Sequence, residues 1–309
     1  DQLVPVTRAF NQFLNLANLA EQYHGIRRHR DQETSVEPVR QTLSRLAGQG
    51  VSPERLHECI RDMRLEFVLT AHPTEVARRT LIMKYDEMSA CLERLDREDL
   101  LDEEREAETA RLRQLITQAW NTDEIRHERP TAVDEARWGF AVVENSLWQA
   151  LPEFLRELDG ALVEQTGEGL PIESSPIRVA SWMGGDRDGN PNVTASVTRE
   201  VLLLSRWMAA DLFLRDLQDL RAELSMWQAS PELQERVGGH REPYRALLSE
   251  LRNRLLATRD WAEEAVRGST QAPPEVMLDS AELIEPLQLC YDSLVACGME
   301  SVARGPLLD

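Results

Sequence analysis

The amino-acid sequence predicts a mainly α protein in which long helices surround a few short parallel strands. Three observations carry that expectation. Apolar residues recur at three- and four-residue spacing along most of the chain, several of these runs open with helix-starting residues, and only two short segments break the rhythm. The 309 residues, 42% of them apolar, are enough to build a buried core.

In chain order, the spacing predicts helices from Pro5 to Tyr23, Pro38 to Gly48, Pro53 to Leu65, Glu75 to Leu95 and Glu103 to Asn121. Further helices are expected from Val133 to Gln165, Thr198 to Gln228, Arg241 to Arg267 and Ser280 to Cys297. Ser52-Pro53-Glu54 supplies a capping hydroxyl, a proline suited to the first turn and an early acid. Pro152 falls inside one run, where its missing amide donor should kink the helix or divide it. The run from Leu202 to Leu217 is apolar around much of its circumference, so that helix should be enclosed by others.

The two exceptions, 65–70 (LEFVLT) and 177–182 (IRVASW), read as strands. Helices intervene between them, so if they share a sheet they should run parallel with a helical crossover. The segments near 25–35 and 268–276 lack apolar periodicity and read as exposed or mobile loops, and one helical domain spans residues 1–309.

Composition narrows the function. The formal net charge of −19 repels phosphate backbones, so nucleic acid is an unsuitable partner, and an anionic ligand would need a local basic pocket. Neither a membrane span nor a secretion signal is visible, which makes the cytoplasm the expected location. The chain opens on Asp1 rather than Met, as a piece cut from a longer protein would. Cys59, Cys91, Cys290 and Cys297 form no metal-binding pattern; Cys290 and Cys297 are separated by about 10 Å along a helix axis, too far for a disulfide.

Two constellations have the composition of a chemical site. In the first, a strand delivers His72 at its C-terminal end, where parallel sheets and barrels open a cleft. An imidazole titrates near neutrality and can move a proton at little cost. Thr74 can cap the following helix, and Arg78 and Arg79 lie one turn into it, placed for an anionic ligand. The bland readings are a structural histidine and arginines paired with Asp86 or Glu87. In the second, a strand runs into Gly184-Gly185-Asp186-Arg187-Asp188-Gly189-Asn190-Pro191. Glycines permit conformations and close approaches that line a ligand cleft, although a tight, internally salt-bridged turn has the same composition. A calcium loop is excluded because Pro191 and Val197 stand where Gly and Glu are required, and no nucleotide-binding fingerprint fits.

The wording of these motifs is more specific than their physics. Thr70-Ala71-His72-Pro73-Thr74-Glu75 with Arg78 and Arg79, the loop from Gly184 to Pro191, Asp134 to Phe140, Glu144 to Trp148 and Phe13 to Asn18 together resemble the phosphoenolpyruvate carboxylase family, in its gammaproteobacterial form, over essentially the whole chain. The resemblance implies carboxylation of phosphoenolpyruvate by bicarbonate to oxaloacetate and phosphate, with Mg²⁺ or Mn²⁺, through carboxyphosphate and the enolate of pyruvate. It makes His72 the catalytic histidine, Arg78 and Arg79 part of an effector site, and Gly184, Gly185, Asp186, Arg187, Asp188, Gly189 and Asn190 a cleft-lining loop. Sugar-phosphate or acyl-CoA activators and a homotetramer are implied for the full-length protein.

By the same resemblance this chain is an N-terminal section holding an incomplete portion of the family's (β/α) barrel. The metal ligands, the catalytic lysine, a second histidine and the aspartate or malate inhibitor site would lie beyond Asp309, leaving the section inactive alone, with an open sheet edge and unpartnered apolar surface. The alternative is an α-helical anion-effector-binding or scaffold module without catalysis.

Overall fold

A computed structural model describes residues 3–31, 38–70, 79–122, 130–268 and 271–308. The protein is mainly helical with one two-stranded sheet among the described residues. The chain divides into two compact units, one of residues 1–62, 72–129 and 160–174, the other of 63–71, 130–159 and 175–309.

The first unit holds α1 (Leu3–Asp31), α2 (Pro38–Gly48), α3 (Pro53–Arg61), α4 (Arg79–Leu95) and α5 (Asp102–Trp120). Leu81, Met88 and Cys91 of α4 meet Leu115 and Ala119 of α5 in one core, with Leu16 and Leu19 of α1 packed against it. Buried Gln12 accepts from the Tyr85 hydroxyl at 3.3 Å, satisfying a polar group that burial would otherwise penalise. A second core joins Leu43 of α2, Leu56 of α3 and Ala161 and Leu162. The cap at Ser52 forms as its sequence predicts, the hydroxyl accepting from the Arg55 amide.

Two boundaries in this unit differ from expectation. The loop expected near 25–35 is helical as far as Asp31, with 32–37 outside the described residues. A glycine in a helix interior costs only about 1 kcal/mol, and Arg27 gains an ion pair with Asp96 at 2.8 Å. Helix α3 ends at Arg61 rather than Leu65, because the Leu65 amide donates to the Pro176 carbonyl and enters the sheet.

The second unit contains β1 (Leu65–Leu69), α6 (Ala132–Val142), the first part of α7 (Trp148–Thr166), β2 (Ile177–Ser181), α8 (Ala195–Glu223), α9 (Pro231–Arg236), α10 (Pro243–Val266), α11 (Ala281–Ala296) and α12 (Glu300–Ala303). Its main core interleaves Leu214, Leu217 and Leu220 of α8 with Leu247, Leu248 and Leu251 of α10 and Cys290 and Leu294 of α11. Burial pushes the Cys290 thiol up to about 12, so it stays protonated and inert. Within the same core the Ser293 hydroxyl accepts the Ser230 amide and bonds the Tyr244 hydroxyl.

Enclosure of α8 is partial: one face is buried from Val201 to Leu220, whereas Leu202 is 66% exposed. Of the loop expected near 268–276, residues 269 and 270 lie outside the described residues, and its far end is anchored. Val276 and Met277 are buried there, and the Met277 amide donates to the Thr258 hydroxyl. The interruption expected at Pro152 occurs upstream, as a π turn at Val143–Leu147 between α6 and α7. A widened turn at that point absorbs the mismatch in the hydrogen-bond ladder, leaving Pro152 within the early turns of α7.

Strands β1 and β2 pair in parallel, from Leu65 opposite Ile177 to Leu69 opposite Ser181, as the intervening helices require. Exposed apolar side chains remain on them, Phe67 at 52% and Val179 at 38%.

Candidate functional site

Parallel pairing sends both strands toward the same edge, where ligands meet side chains in open sheets and barrels. There the Leu69 carbonyl accepts the Trp182 amide at 3.0 Å, extending the ladder one step beyond β2. The chain leaving β1 is described as far as Thr70. His72 and Arg78 lie outside the described residues, and Arg79 opens α4 without a described side chain. Asp86 and Glu87, the acids considered as partners for those arginines, are on α4: Glu87 pairs with Arg94 at 3.3 Å, and burial raises the Asp86 carboxyl above its ordinary range.

The glycine loop is shaped mainly by its backbone. The amides of Gly185 and Asp186 both donate to the Trp182 carbonyl, turning the chain sharply after the strand. Gly184 has φ +71°, and a Cβ there would lie 2.5 Å from a methyl of Val201, so only glycine fits both the conformation and the space. The Gly184 carbonyl accepts the Thr198 hydroxyl at 2.7 Å, tying the loop to the start of α8, whose cap is Thr194. Asp188 adopts φ +32° and Gly189 φ +73°, and Gly185 to Asn190 are exposed. The Arg187 guanidinium reaches the Thr198 hydroxyl at 3.5 Å. The loop therefore presents two carboxylates and a guanidinium to solvent at the sheet's C-terminal edge.

Two features of this edge escaped the sequence reading. Trp182 is 58% exposed at the end of β2, an aromatic surface placed where a ligand would arrive. Met183 is buried beside it and packs with Ala136, Phe140 and Val201. The signal available beforehand was Gly139, a glycine in the middle of a helix that has no local reason for one.

A separate cleft of about 630 Å³ lies between α8 and α10, lined by Gln218, Arg221, His240, Glu242, Arg245 and Ser249. The His240 Nδ1 accepts the Glu242 amide, which leaves its Nε2 to donate. Arg245 is partly neutralised by Glu242 at 3.0 Å, while Arg221 bonds only the neutral Ser249 hydroxyl through its Nε. The cleft is a local positive site in an acidic chain, suited to a small anion. Among the described residues no group of three or more His, Cys, Asp or Glu is placed to hold a metal ion.

A parallel strand pair whose C-terminal edge carries a constrained, glycine-rich polar loop has the strand-to-loop layout from which open sheets build ligand clefts. Comparison with known proteins specifies the family. The sequence profile of phosphoenolpyruvate carboxylase matches residues 1–309, and the chain belongs to that family. It is 65% identical over 311 aligned residues to the phosphoenolpyruvate carboxylase of Marinobacter nauticus, covering all of this chain and 35% of that protein. Identity is 61% to the Hahella chejuensis protein of the same name and 60% to that of Pseudomonas aeruginosa, each with 36% of the relative covered. The chain thus spans about a third of the length of these curated relatives.

Proposed function

We propose that the chain is an N-terminal section of a phosphoenolpyruvate carboxylase and that the full-length protein joins phosphoenolpyruvate and bicarbonate to give oxaloacetate and phosphate. The parallel register of β1 and β2 carries this reading: it brings the strand that leads toward His72 and the loop from Gly184 to Asn190 to one edge. In the proposed barrel these are its first two strands, and further parallel strands cover their exposed apolar side chains.

The reaction begins when a bicarbonate oxygen attacks phosphorus and breaks the bond to the enol oxygen, giving carboxyphosphate and the enolate of pyruvate. His72 takes the carboxyphosphate proton, and cleavage of the carbon–oxygen bond then releases phosphate and CO₂. The enolate carbon attacks that CO₂ to form oxaloacetate. A histidine of near-neutral pKa suits this transfer. The Gly184–Asn190 loop shapes the cleft and limits water around the intermediate. A divalent metal, Mg²⁺ or Mn²⁺, would stabilise negative charge on phosphate and enolate when bound, and this reading assigns its ligands to the remainder of the full-length protein.

In the full-length protein, His72→Ala should abolish nearly all oxaloacetate formation in a malate dehydrogenase-coupled assay while leaving the fold intact by circular dichroism. Carboxylation persisting at the wild-type rate would refute the role of His72. The 309-residue chain alone should be inactive, and turnover by it would refute the division of the site.

The cleft lined by Arg221 and Arg245 supports a second, compatible reading, in which it receives an anionic effector such as a sugar phosphate or acyl-CoA; the effector role implied for Arg78 and Arg79 is a separate proposal. Calorimetry with a sugar phosphate should show heat that Arg221→Ala reduces; no heat at millimolar ligand removes the reading. A homotetramer in the cytoplasm is the proposed state of the full-length protein.

A further inference from the structure

Gly139 stands in the interior of α6, where glycine costs about 1 kcal/mol relative to alanine. The local sequence offers no turn or cap to offset that cost, since the helix continues to Val142. The compensation is a close approach. A Cβ on Gly139 would lie 1.9 Å from the terminal methyl of Met183, 3.0 Å from its sulfur and 3.9 Å from a methyl of Leu69. Met183 therefore inserts its thioether into a notch in the α6 surface, beside the last residue of β1. It is 7% exposed and is surrounded by Ala136, Phe140 and Val201.

The position of Met183 in the chain gives this packing its consequence. Trp182, immediately before it, donates its amide to the Leu69 carbonyl and accepts the two amides that turn the glycine loop. Gly184, immediately after it, is clamped against Val201 and bonded by Thr198. One side chain thus fixes the end of β1, the end of β2 and the root of the loop from Gly185 to Asn190.

We infer that Gly139 and Met183 form a positioning pair for the strand-end edge: the notch sets the height at which Trp182 and the glycine loop are presented. Neither residue needs to touch substrate. The inference rests on the carboxylase reading for its kinetic consequence, but not for its structural one. An added methyl at 139 must displace the Met183 thioether, which is flexible enough to move without unfolding the unit, and the loop root moves with it. Displacements of about 1 Å at a catalytic edge can cost up to about 100-fold in rate.

The test uses the full-length protein with Gly139→Ala, Met183→Ala and the double substitution, at 25 °C, where circular dichroism establishes that each is folded. Gly139→Ala should lower kcat about tenfold or more, with KM for phosphoenolpyruvate changed less than about threefold. Met183→Ala should also lower kcat, and because both substitutions act on one contact the double variant should be about as active as Met183→Ala rather than showing the product of the two losses. Hydrogen exchange at the amides of Trp182, Gly185 and Asp186 should quicken in both single variants and no further in the double variant. A folded Gly139→Ala protein with wild-type kcat and wild-type exchange at those amides would overturn the inference, as would a double variant less active than either single one. If the unsubstituted protein does not carboxylate, the carboxylase reading fails, and the exchange measurement alone decides the positioning role.

Discussion

In the cluster of α8, α10 and α11, Tyr244, Leu247, Leu248, Cys290 and Leu294 are wholly withdrawn from solvent, whereas in the β1–β2 sheet Leu65, Phe67, Val68 and Val179 are 37–52% exposed. Both regions belong to one unit, yet they differ in what they require. The helices bury their apolar faces on one another, and Ser293 pairs with Ser230 and Tyr244 inside that core. The sheet satisfies its backbone between only two strands and leaves side chains uncovered. Buried packing is concentrated in the helices, and exposed apolar surface is concentrated on the strands.

Truncation of the core should give the largest effect on stability. Leu248→Ala removes a fully buried side chain and should destabilise the 309-residue chain by about 2–5 kcal/mol, read from urea unfolding. A loss below about 1 kcal/mol would mean that the helical cluster is not the stabilising region. A smaller, pH-dependent effect is expected at the start of α11. There Arg254, followed by the backbone amides of Asp279 and Leu278, lowers the Glu282 pKa to about 2. A folded-state pKa below the unfolded value means that this contribution is complete above about 4.5 and is lost as pH falls toward 2. Glu282→Gln should therefore lower stability at pH 7, and the gap to wild type should close across that acid window; a gap independent of pH would contradict the pairing.

The smallest effect should be at Phe67, where alanine should cost no more than about 1 kcal/mol in the 309-residue chain. The same substitution in the full-length protein sharpens the contrast. A much larger cost there would report coverage of the sheet by further strands, and an equal one would argue against barrel closure.

The sequence reveals these regions unequally. Helix α2 is bounded as its periodicity predicts, and both strands lie where β-branched residues interrupt that periodicity. Their parallel pairing follows from the helices between them. Local rules missed features set by distant residues: Arg27 extends α1 through Asp96, and the Leu65 amide is drawn into the sheet by Pro176. The short helix α9 lacks enough turns for a periodicity signal, although its Ser230-Pro231 start has a good capping sequence. At the site, the loop motif was legible as a group of glycines, whereas the demand for glycine at 184 depends on Val201 of α8 and appears only in the fold. The notch at Gly139 was not legible, because its occupant lies 44 positions along the chain and meets it only after the strands have paired.

That pairing also constrains the order of manufacture. The partners in β1 and β2 are more than a hundred residues apart, so a nascent β1 leaves the ribosome long before β2 has been translated. At about 5–20 residues per second, the delay is on the order of 5–20 seconds. Throughout that interval Phe67 and Val68 belong to a segment without its β2 partner, the kind of unpaired edge that can join a neighbouring polypeptide.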